Sequence, residues 1–180
     1  MFKRLIPIIC SVFLAVNIFA QSLAPVDAGS AIKFTIKNFG ITVNGSFKDL
    51  KGNITFDPAN ISAAVVNLSV DAATVNTGIN SRDNHLRKEE YLNVNKYPLI
   101  SFLSTKVVAT GKEGIFNISG NITIKGVTRN ISFPFTVITK QNGYLFSGTF
   151  RLNRRDFGVG NSSLILSDYL DVSFSIYATK

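Results

Sequence analysis

The chain has 180 residues, a formal net charge of +8, 46% hydrophobic residues and one cysteine, Cys10. This length is sufficient for one domain with a sizeable core, and a lone cysteine excludes a disulfide-held scaffold. The positive charges are scattered over predicted outward positions such as Lys33, Lys37 and Lys125. Because a nucleic-acid interface needs clustered basic residues, this pattern favours a solubilising surface and no nucleic-acid partner.

Residues 1–20 have the layout of a secretory signal peptide. Lys3 and Arg4 give a positive start, a nearly continuous apolar run follows, and Ala20 ends it. The run is short for a membrane-spanning helix, and a proline and an asparagine interrupt it. We therefore expect cleavage near Ala20 and a mature domain at residues 21–180. Removal of Lys3 and Arg4 lowers the net charge from +8 to +6, and the expected location is periplasmic or secreted.

From residue 30 onward, short segments alternate apolar and polar residues, which predicts strands with one buried and one exposed face. Residues 43–56 fit either one bent strand or two, so the total is eight or nine strands. In the first half of the chain, the apolar positions that share one parity are Ile32, Phe34, Ile36, Val43, Phe47, Ile54, Phe56, Val66, Leu68 and Val70.

A charged stretch then interrupts the alternation and predicts one helix over residues 81–92. Its first residue is a serine that can cap the helix, and Asp83 favours the positive end of the helix dipole. Asp83 and Arg87 are spaced to form an ion pair one turn apart, as are His85 and Glu89.

Alternation resumes after the helix and continues to the end of the chain. Residues 116–124 keep a period of two over nine positions, and Gly126-Val127 marks a tight reversal. Asn142-Gly143 is the dipeptide most typical of a hairpin turn. The apolar positions of common parity in this half are Ile100, Phe102, Phe116, Ile118, Ile122, Ile124, Ile131, Phe133, Phe135, Val137, Tyr144, Phe146, Phe150, Leu152, Leu170, Val172, Phe174 and Ile176.

These elements predict an all-β fold, a single antiparallel β-barrel of about eight strands with one helix inserted between the fourth and fifth strands. A barrel fits better than a sandwich, since no tryptophan or disulfide pins two sheets together. A closed sheet of this size holds either its own side chains or one slender ligand. Mid-strand Gly120 and Gly148 favour a cavity, although they equally suit bends that close the barrel. The expected lining residues are Phe34, Ile36, Phe47, Phe102, Ile118, Ile122, Phe133, Phe135, Phe150 and Phe174.

The polar residues offer little for catalysis. His85 is the only histidine, the mature chain has no cysteine, and neither a calcium-loop run nor a Gly-x-Ser-x-Gly elbow is present. We therefore expect no catalytic site, metal or cofactor. One interpretation of Arg82, Asp83 and His85 places them at the mouth of the pocket, where Arg82 would hold a carboxylate or phosphate headgroup. The alternative is that these three residues only tie the helix to the barrel.

The ordered motifs resemble the YceI-like family of exported bacterial proteins, and the resemblance runs through nearly the whole mature chain. Two small departures, Tyr91-Leu92 and Ser101, affect pocket shape and not the fold. The matching runs are Gly45-Ser46-Phe47, Gly52-Asn53-Ile54-Thr55-Phe56-Asp57-Pro58, Thr77-Gly78 with Arg82-Asp83-Asn84-His85-Leu86-Arg87, Tyr97-Pro98 with Ser101-Phe102-Leu103-Ser104-Thr105, Gly120-Asn121-Ile122-Thr123-Ile124-Lys125-Gly126-Val127-Thr128-Arg129 and Arg155-Asp156-Phe157-Gly158-Val159-Gly160.

The resemblance implies a lipocalin-like barrel whose interior holds a long apolar molecule: a polyisoprenoid, an isoprenoid quinone or a fatty-acid derivative. The expected function is therefore non-enzymatic binding for transport or storage. Two alternatives stay open, a secreted stress-response or interaction module that uses the barrel as a scaffold, and an enzyme with His85 as acid or base. Transient contact with a membrane surface and homodimerisation also remain open.

Overall fold

The computed structural model describes residues 22–180, and the predicted signal peptide lies outside them. Three short 3₁₀ helices cover Asp27–Gly29, Ile61–Ala63 and Arg154–Phe157. No helix in the described part of the chain has the length and apolar character needed to cross a membrane. The strands and the α-helix are β1 (Ser22–Pro25), β2 (Ala31–Asn38), β3 (Ile41–Thr55), β4 (Val65–Asn76), α1 (Asn80–Leu86), β5 (Leu99–Ala109), β6 (Ile115–Ile124), β7 (Val127–Lys140), β8 (Gly143–Asn153) and β9 (Leu166–Thr179).

The strands β2 to β9 close into an antiparallel barrel. Each pairs with its neighbour in the chain, and β9 returns to pair with β2, with Phe34 opposite Val172. The short β1 pairs with the last residues of both β3 and β9, beyond the start of β2. β1 and β2 thus form one interrupted strand. The predicted all-β barrel of about eight strands, with a helix between β4 and β5, is confirmed.

The region that fitted one bent strand or two is one continuous strand, β3. Its pairing with β4 shifts register twice between Ser46 and Lys51. Within the bend, Asp49 has φ 58° and Gly52 has φ 128°. A Cβ at Gly52 would collide with the carbonyl oxygen of Asn67 on β4. Glycine is therefore required at this bulge for both its backbone conformation and the close approach of the neighbouring strand.

Both predicted hairpin links lie one residue earlier than expected. The β6–β7 link consists of Lys125 and Gly126, since Val127 already pairs with Ile124, and its φ values of 49° and 75° are the left-handed pair that suits the twist of a hairpin. The β7–β8 link consists of residues 141 and 142, since Lys140 pairs directly with Gly143. Gly143 has no positive φ. Glycine is needed at this position because the neighbouring strand β9 approaches closely. A Cβ on residue 143 would collide with the carbonyl oxygen of Ala178.

The helix prediction was wrong in length and in its ion pairs. α1 ends at Leu86, after which backbone bonds such as Leu92 N–H to the Leu86 carbonyl fold the chain into turns. The residue before the helix, Ile79, makes no side-chain cap, so the predicted serine cap is absent. Arg87 donates to the carbonyls of Ala73 and Val75 on β4. Neither the Asp83–Arg87 pair nor the second predicted ion pair forms within residues 22–180.

The two ends of the barrel differ. One end, called the helix end, carries the connections at residues 39–40, 77–98, 125–126 and 154–165. The other, called the plug end, carries residues 56–64, 110–114 and 141–142. There Phe56 is buried edge-on against the rings of Phe116, Tyr144 and Phe146, at centroid distances of 5.6, 5.2 and 5.3 Å. This aromatic plug closes the floor of the barrel.

Candidate ligand-binding cavity

Above the aromatic plug the barrel encloses a cavity of about 280 Å³. Pockets for small molecules typically span roughly 300–1,000 Å³, so this space suits one slender molecule. All ten residues predicted to line the interior lie on its wall. Alternation alone gave these positions, because the period of two assigns every second side chain to the inside. Whether they bind a ligand stays a prediction.

The middle of the wall is a belt of phenylalanine rings. Phe133 stacks on Phe150 at a centroid distance of 4.5 Å and 20° between the ring planes. Phe102 and Phe174 each lie 5.8 Å from Phe133. These rings come from β5, β7, β8 and β9, so the belt ties several strands together. Such contacts hold the wall in a defined shape around the empty space.

Inward glycines explain why the belt does not fill the lumen. The ring of Phe34 occupies the place that a Cβ on Gly45 would take. A Cβ on Gly148 would lie 2.7 Å from Cζ of Phe174. Both are directly paired residues on neighbouring strands. Each glycine thus lets a phenylalanine ring lie flat against the sheet instead of projecting into the cavity.

At the helix end a lid formed by residues 80–97 and 154–160 covers part of the cavity. From the first segment, Leu86, Tyr91 and Leu92 reach the wall, and from the second, Phe157 and Val159. Phe157 is only 2% exposed. Sequence reasoning missed these residues, because the lid has no alternation to identify them. The available signal was the presence of isolated apolar residues within otherwise charged or glycine-rich runs.

Two cations fasten the lid by donating to main-chain carbonyls. Lys125 Nζ donates to the carbonyls of Glu90 (3.1 Å) and Gly158 (2.7 Å), one on each lid segment. The buried Arg154 donates to the carbonyl of Val159 (2.8 Å) and pairs with Asp168 (2.8 Å). Hydrogen bonds from charged donors are the stronger kind, so Lys125 joins the two lid segments and Arg154 ties the second segment to β9.

The three predicted polar mouth residues take different positions. Arg82 lies on the cavity wall, where its Nε and Nη2 donate to the hydroxyl and carbonyl of Thr77 at 2.7 and 2.8 Å. Asp83 is 4% exposed and accepts from the Thr77 backbone N–H at 2.8 Å and from its hydroxyl at 2.5 Å. His85 is exposed, with its ring 4.9 Å from that of Tyr91. Neither Asp83 nor His85 lies on the wall.

Arg82 is a charged residue on the cavity wall whose donors are only partly used, whereas Arg154, also on the wall, pairs with Asp168. Arg82 has no ion-pair partner among the residues the structure describes. Its Nη1 makes no hydrogen bond to the described protein atoms. Thr77 fixes the guanidinium from one side, while Asp83 fixes Thr77. The group is therefore held in place with donors left for a polar or anionic atom at the cavity mouth.

Away from the cavity, one exposed ion pair lies on the outer face of the barrel. The hydrogen bond from Arg151 lowers the pKa of the Asp171 carboxyl. A lowered pKa contributes stability above the unfolded-state pKa, and that contribution is lost as pH falls through the folded-state value. Because both groups are exposed, the effect is small. No cluster of three or more metal-ligating side chains occurs within residues 22–180.

Comparison with known proteins agrees with this geometry. A model of the YceI-like domain matches residues 24–178. A UPF0312 protein of Pectobacterium carotovorum subsp. carotovorum is 36% identical over 137 residues, which cover 71% of this chain and 69% of that protein.

Two solved structures share the fold at low sequence identity. Burkholderia cenocepacia BcnA has a TM-score of 0.82 at 24% identity, covering 86% of this chain and 99% of that one. A polyisoprenoid binding domain from Saccharophagus degradans has a TM-score of 0.70 at 16% identity, with 87% and 97% covered.

Proposed function

This chain belongs to the YceI-like family, and on that premise we propose that it is an exported, non-enzymatic protein that binds one long apolar molecule inside its barrel. The observation that carries the proposal is an apolar cavity with an aromatic floor at one end and a partial lid at the other. The proposed ligand class is a polyisoprenoid, an isoprenoid quinone or a fatty-acid derivative, taken up for transport or storage.

The size and chemistry of the cavity support this class of ligand. A buried methylene contributes roughly 0.8 kcal/mol, so a chain of about ten buried carbons gives about 8 kcal/mol before ordering costs. The volume of about 280 Å³ favours one chain over two. A longer chain would leave its remainder in the mouth. A mostly apolar wall also disfavours a sugar or a peptide, because most of its polar groups would be buried without hydrogen bonds.

Arg82 determines the orientation of the ligand in the proposed site. Its guanidinium lies at the wall with donors unused by the described protein atoms, so it would bind a carboxylate, phosphate or quinone oxygen at the mouth. We place the apolar tail towards the plug end and the head near Arg82. We place the protein in the periplasm or outside the cell because residues 1–20 have the layout of a secretory signal peptide.

The test is native mass spectrometry of the protein purified from its own envelope, followed by solvent extraction of any bound mass. Val172 lines the cavity between Phe34 and Phe150, and Val172→Trp would put an indole into the space. Its neighbour Ser173 has the opposite parity on β9 and is absent from the cavity wall, so Ser173→Trp is the matched control.

We expect a stoichiometric long-chain species on the wild type and on Ser173→Trp, and its loss from Val172→Trp. A wild-type protein that is free of ligand, and stays so after incubation with isoprenoid quinones and fatty acids, would refute lipid binding. That outcome would favour the scaffold function.

A further inference from the structure

Several large apolar side chains are exposed at the helix end, and we call five of them, Phe39, Ile41, Ile79, Leu164 and Ile165, the rim patch. Phe39 lies in the β2–β3 turn, Ile41 directly follows it, and each is 70% exposed. Leu164 is fully exposed, and Ile165 and Ile79 are about half exposed. The backbone N–H of Phe39 donates to the carbonyl of Ile165 at 2.8 Å, which joins the two loops that carry four of the five. A group of exposed apolar residues around an opening marks an interaction surface.

Phe39 also has an unusual backbone. Its φ is 51°, followed by 75° at Gly40, in a two-residue hairpin link where asparagine or glycine is usual. An aromatic residue in the left-handed region is uncommon, and here the ring gains little packing in return because it faces solvent. Packing within the folded chain therefore does not explain why a phenylalanine occupies this strained position. Insertion of its ring into another surface would explain it.

The rim patch borders the cavity mouth. Asn38 and Val43 flank the β2–β3 turn, Leu166 follows Ile165, and all three lie on the cavity wall while partly accessible to solvent. Arg82, also on the wall, is three residues from Ile79. Whatever surface covers the rim patch is therefore in direct contact with the opening through which a ligand passes.

The charge of the two barrel ends points to an anionic surface. The connections at the helix end hold seven basic and four acidic side chains, a net charge of +3. The connections at the plug end hold one basic and two acidic side chains, a net charge of −1. Basic residues beside exposed apolar ones are the combination that binds the interface of an anionic bilayer.

We propose that the rim patch docks the protein on an anionic phospholipid bilayer, with the cavity mouth facing the acyl region. This rests on the proposed function, and it gives the ligand a path from membrane to barrel that avoids water. Apolar side chains would enter the headgroup boundary, and exposed basic groups of the helix end such as Lys88 and Lys96 would meet lipid phosphates. Each basic residue near such a surface strengthens binding by roughly fivefold.

The test is flotation of the purified mature protein with vesicles of phosphatidylcholine alone and of an equal mixture of phosphatidylcholine and phosphatidylglycerol. The double variant Phe39→Asn, Leu164→Ser removes two apolar groups, and asparagine suits the left-handed turn, so the fold is retained. Ile138→Asn is the matched control, since Ile138 is a half-exposed apolar residue near the plug end.

We expect binding to the mixed vesicles that falls at least about tenfold in the double variant and is unchanged in Ile138→Asn. Equal binding by wild type and double variant, or no binding by the wild type, would overturn docking.

Ligand content, measured by native mass spectrometry in detergent, separates the two proposals. A double variant that keeps its ligand but binds vesicles as the wild type does would refute docking alone. A wild type that docks through the rim patch but never holds a lipid would refute the proposed function alone.

Discussion

The Gly45→Ala substitution tests whether the cavity depends on rings lying over inward glycines. The new Cβ would lie 2.5 Å from Cε1 and 2.9 Å from Cε2 of the Phe34 ring. Real Cβ contacts this short essentially never occur, so one group must move. The colliding atoms all belong to a side chain, and the cavity offers free space beside it. We therefore expect Phe34 to swing inward and narrow the lumen.

The magnitude follows from this geometry. Overpacking a well-packed interior costs about 1–3 kcal/mol, and the free space next to Phe34 places this case near 1 kcal/mol. The loss of binding free energy for the ligand should be larger than this loss of folding stability. A phenyl ring in a cavity of about 280 Å³ removes room for several methylenes, each worth roughly 0.8 kcal/mol. We expect ligand affinity to fall by at least about tenfold.

A double-mutant cycle with Phe34→Ala makes the test specific. Unfolding in urea gives stability, and native mass spectrometry gives ligand occupancy. If the ring and the new methyl group compete for one place, Gly45→Ala should cost less stability in the Phe34→Ala background, with a coupling of about 1 kcal/mol. Gly29→Ala is the control, since its Cβ would make an ordinary contact of 3.4 Å with Tyr177. Additive costs, or a Gly45→Ala protein with undiminished occupancy, would refute this explanation of the cavity.

Three further predictions concern the lid and the mouth. Lys125→Met keeps an unbranched side chain one atom shorter and removes both bonds to lid carbonyls, so ligand release measured by stopped flow should be about tenfold faster, while the exposed control Lys106→Met should leave it unchanged. Arg82→Gln should weaken binding of a carboxylate-headed lipid by about tenfold or more, as expected for loss of a charged hydrogen bond, and should leave a headless alkane probe unaffected. Asp83→Ala should lower the free energy of unfolding by about 1–3 kcal/mol, because the partly buried backbone N–H and hydroxyl of Thr77 lose their acceptor; a urea midpoint equal to wild type would contradict the structural role of Asp83.

The barrel itself was predictable from sequence because its signal is local. A period of two assigns each residue to the inside or the outside without knowledge of its partner strand. Phe133, Phe135 and Phe150 were placed on the wall in this way. The turn at Gly126 was equally predictable, since a left-handed backbone in a two-residue link favours glycine at that position.

The lid was not predictable, because its contacts join side chains to distant carbonyls. Arg87 has an acid four residues earlier, which suggests a local ion pair, yet it donates to the carbonyls of Ala73 and Val75. Lys125 was assigned to the solubilising surface, yet it fastens both lid segments. Every residue offers a carbonyl, so the identity of the accepting residue leaves no trace in the sequence.

Alternation also cannot distinguish a filled barrel from a hollow one, because both place the same side chains inside. The difference depends on register, which decides whether a glycine or a bulky residue lies opposite each ring. Here β2 pairs Phe34 with Gly45, and β8 pairs Gly148 with Phe174. A shift of two residues would keep every inward side chain inward while placing each ring against a neighbour that has a side chain. The rings would then project into the lumen and fill it. The cavity of this barrel is therefore a property of its register, which the turns and bulges set and which composition does not reveal.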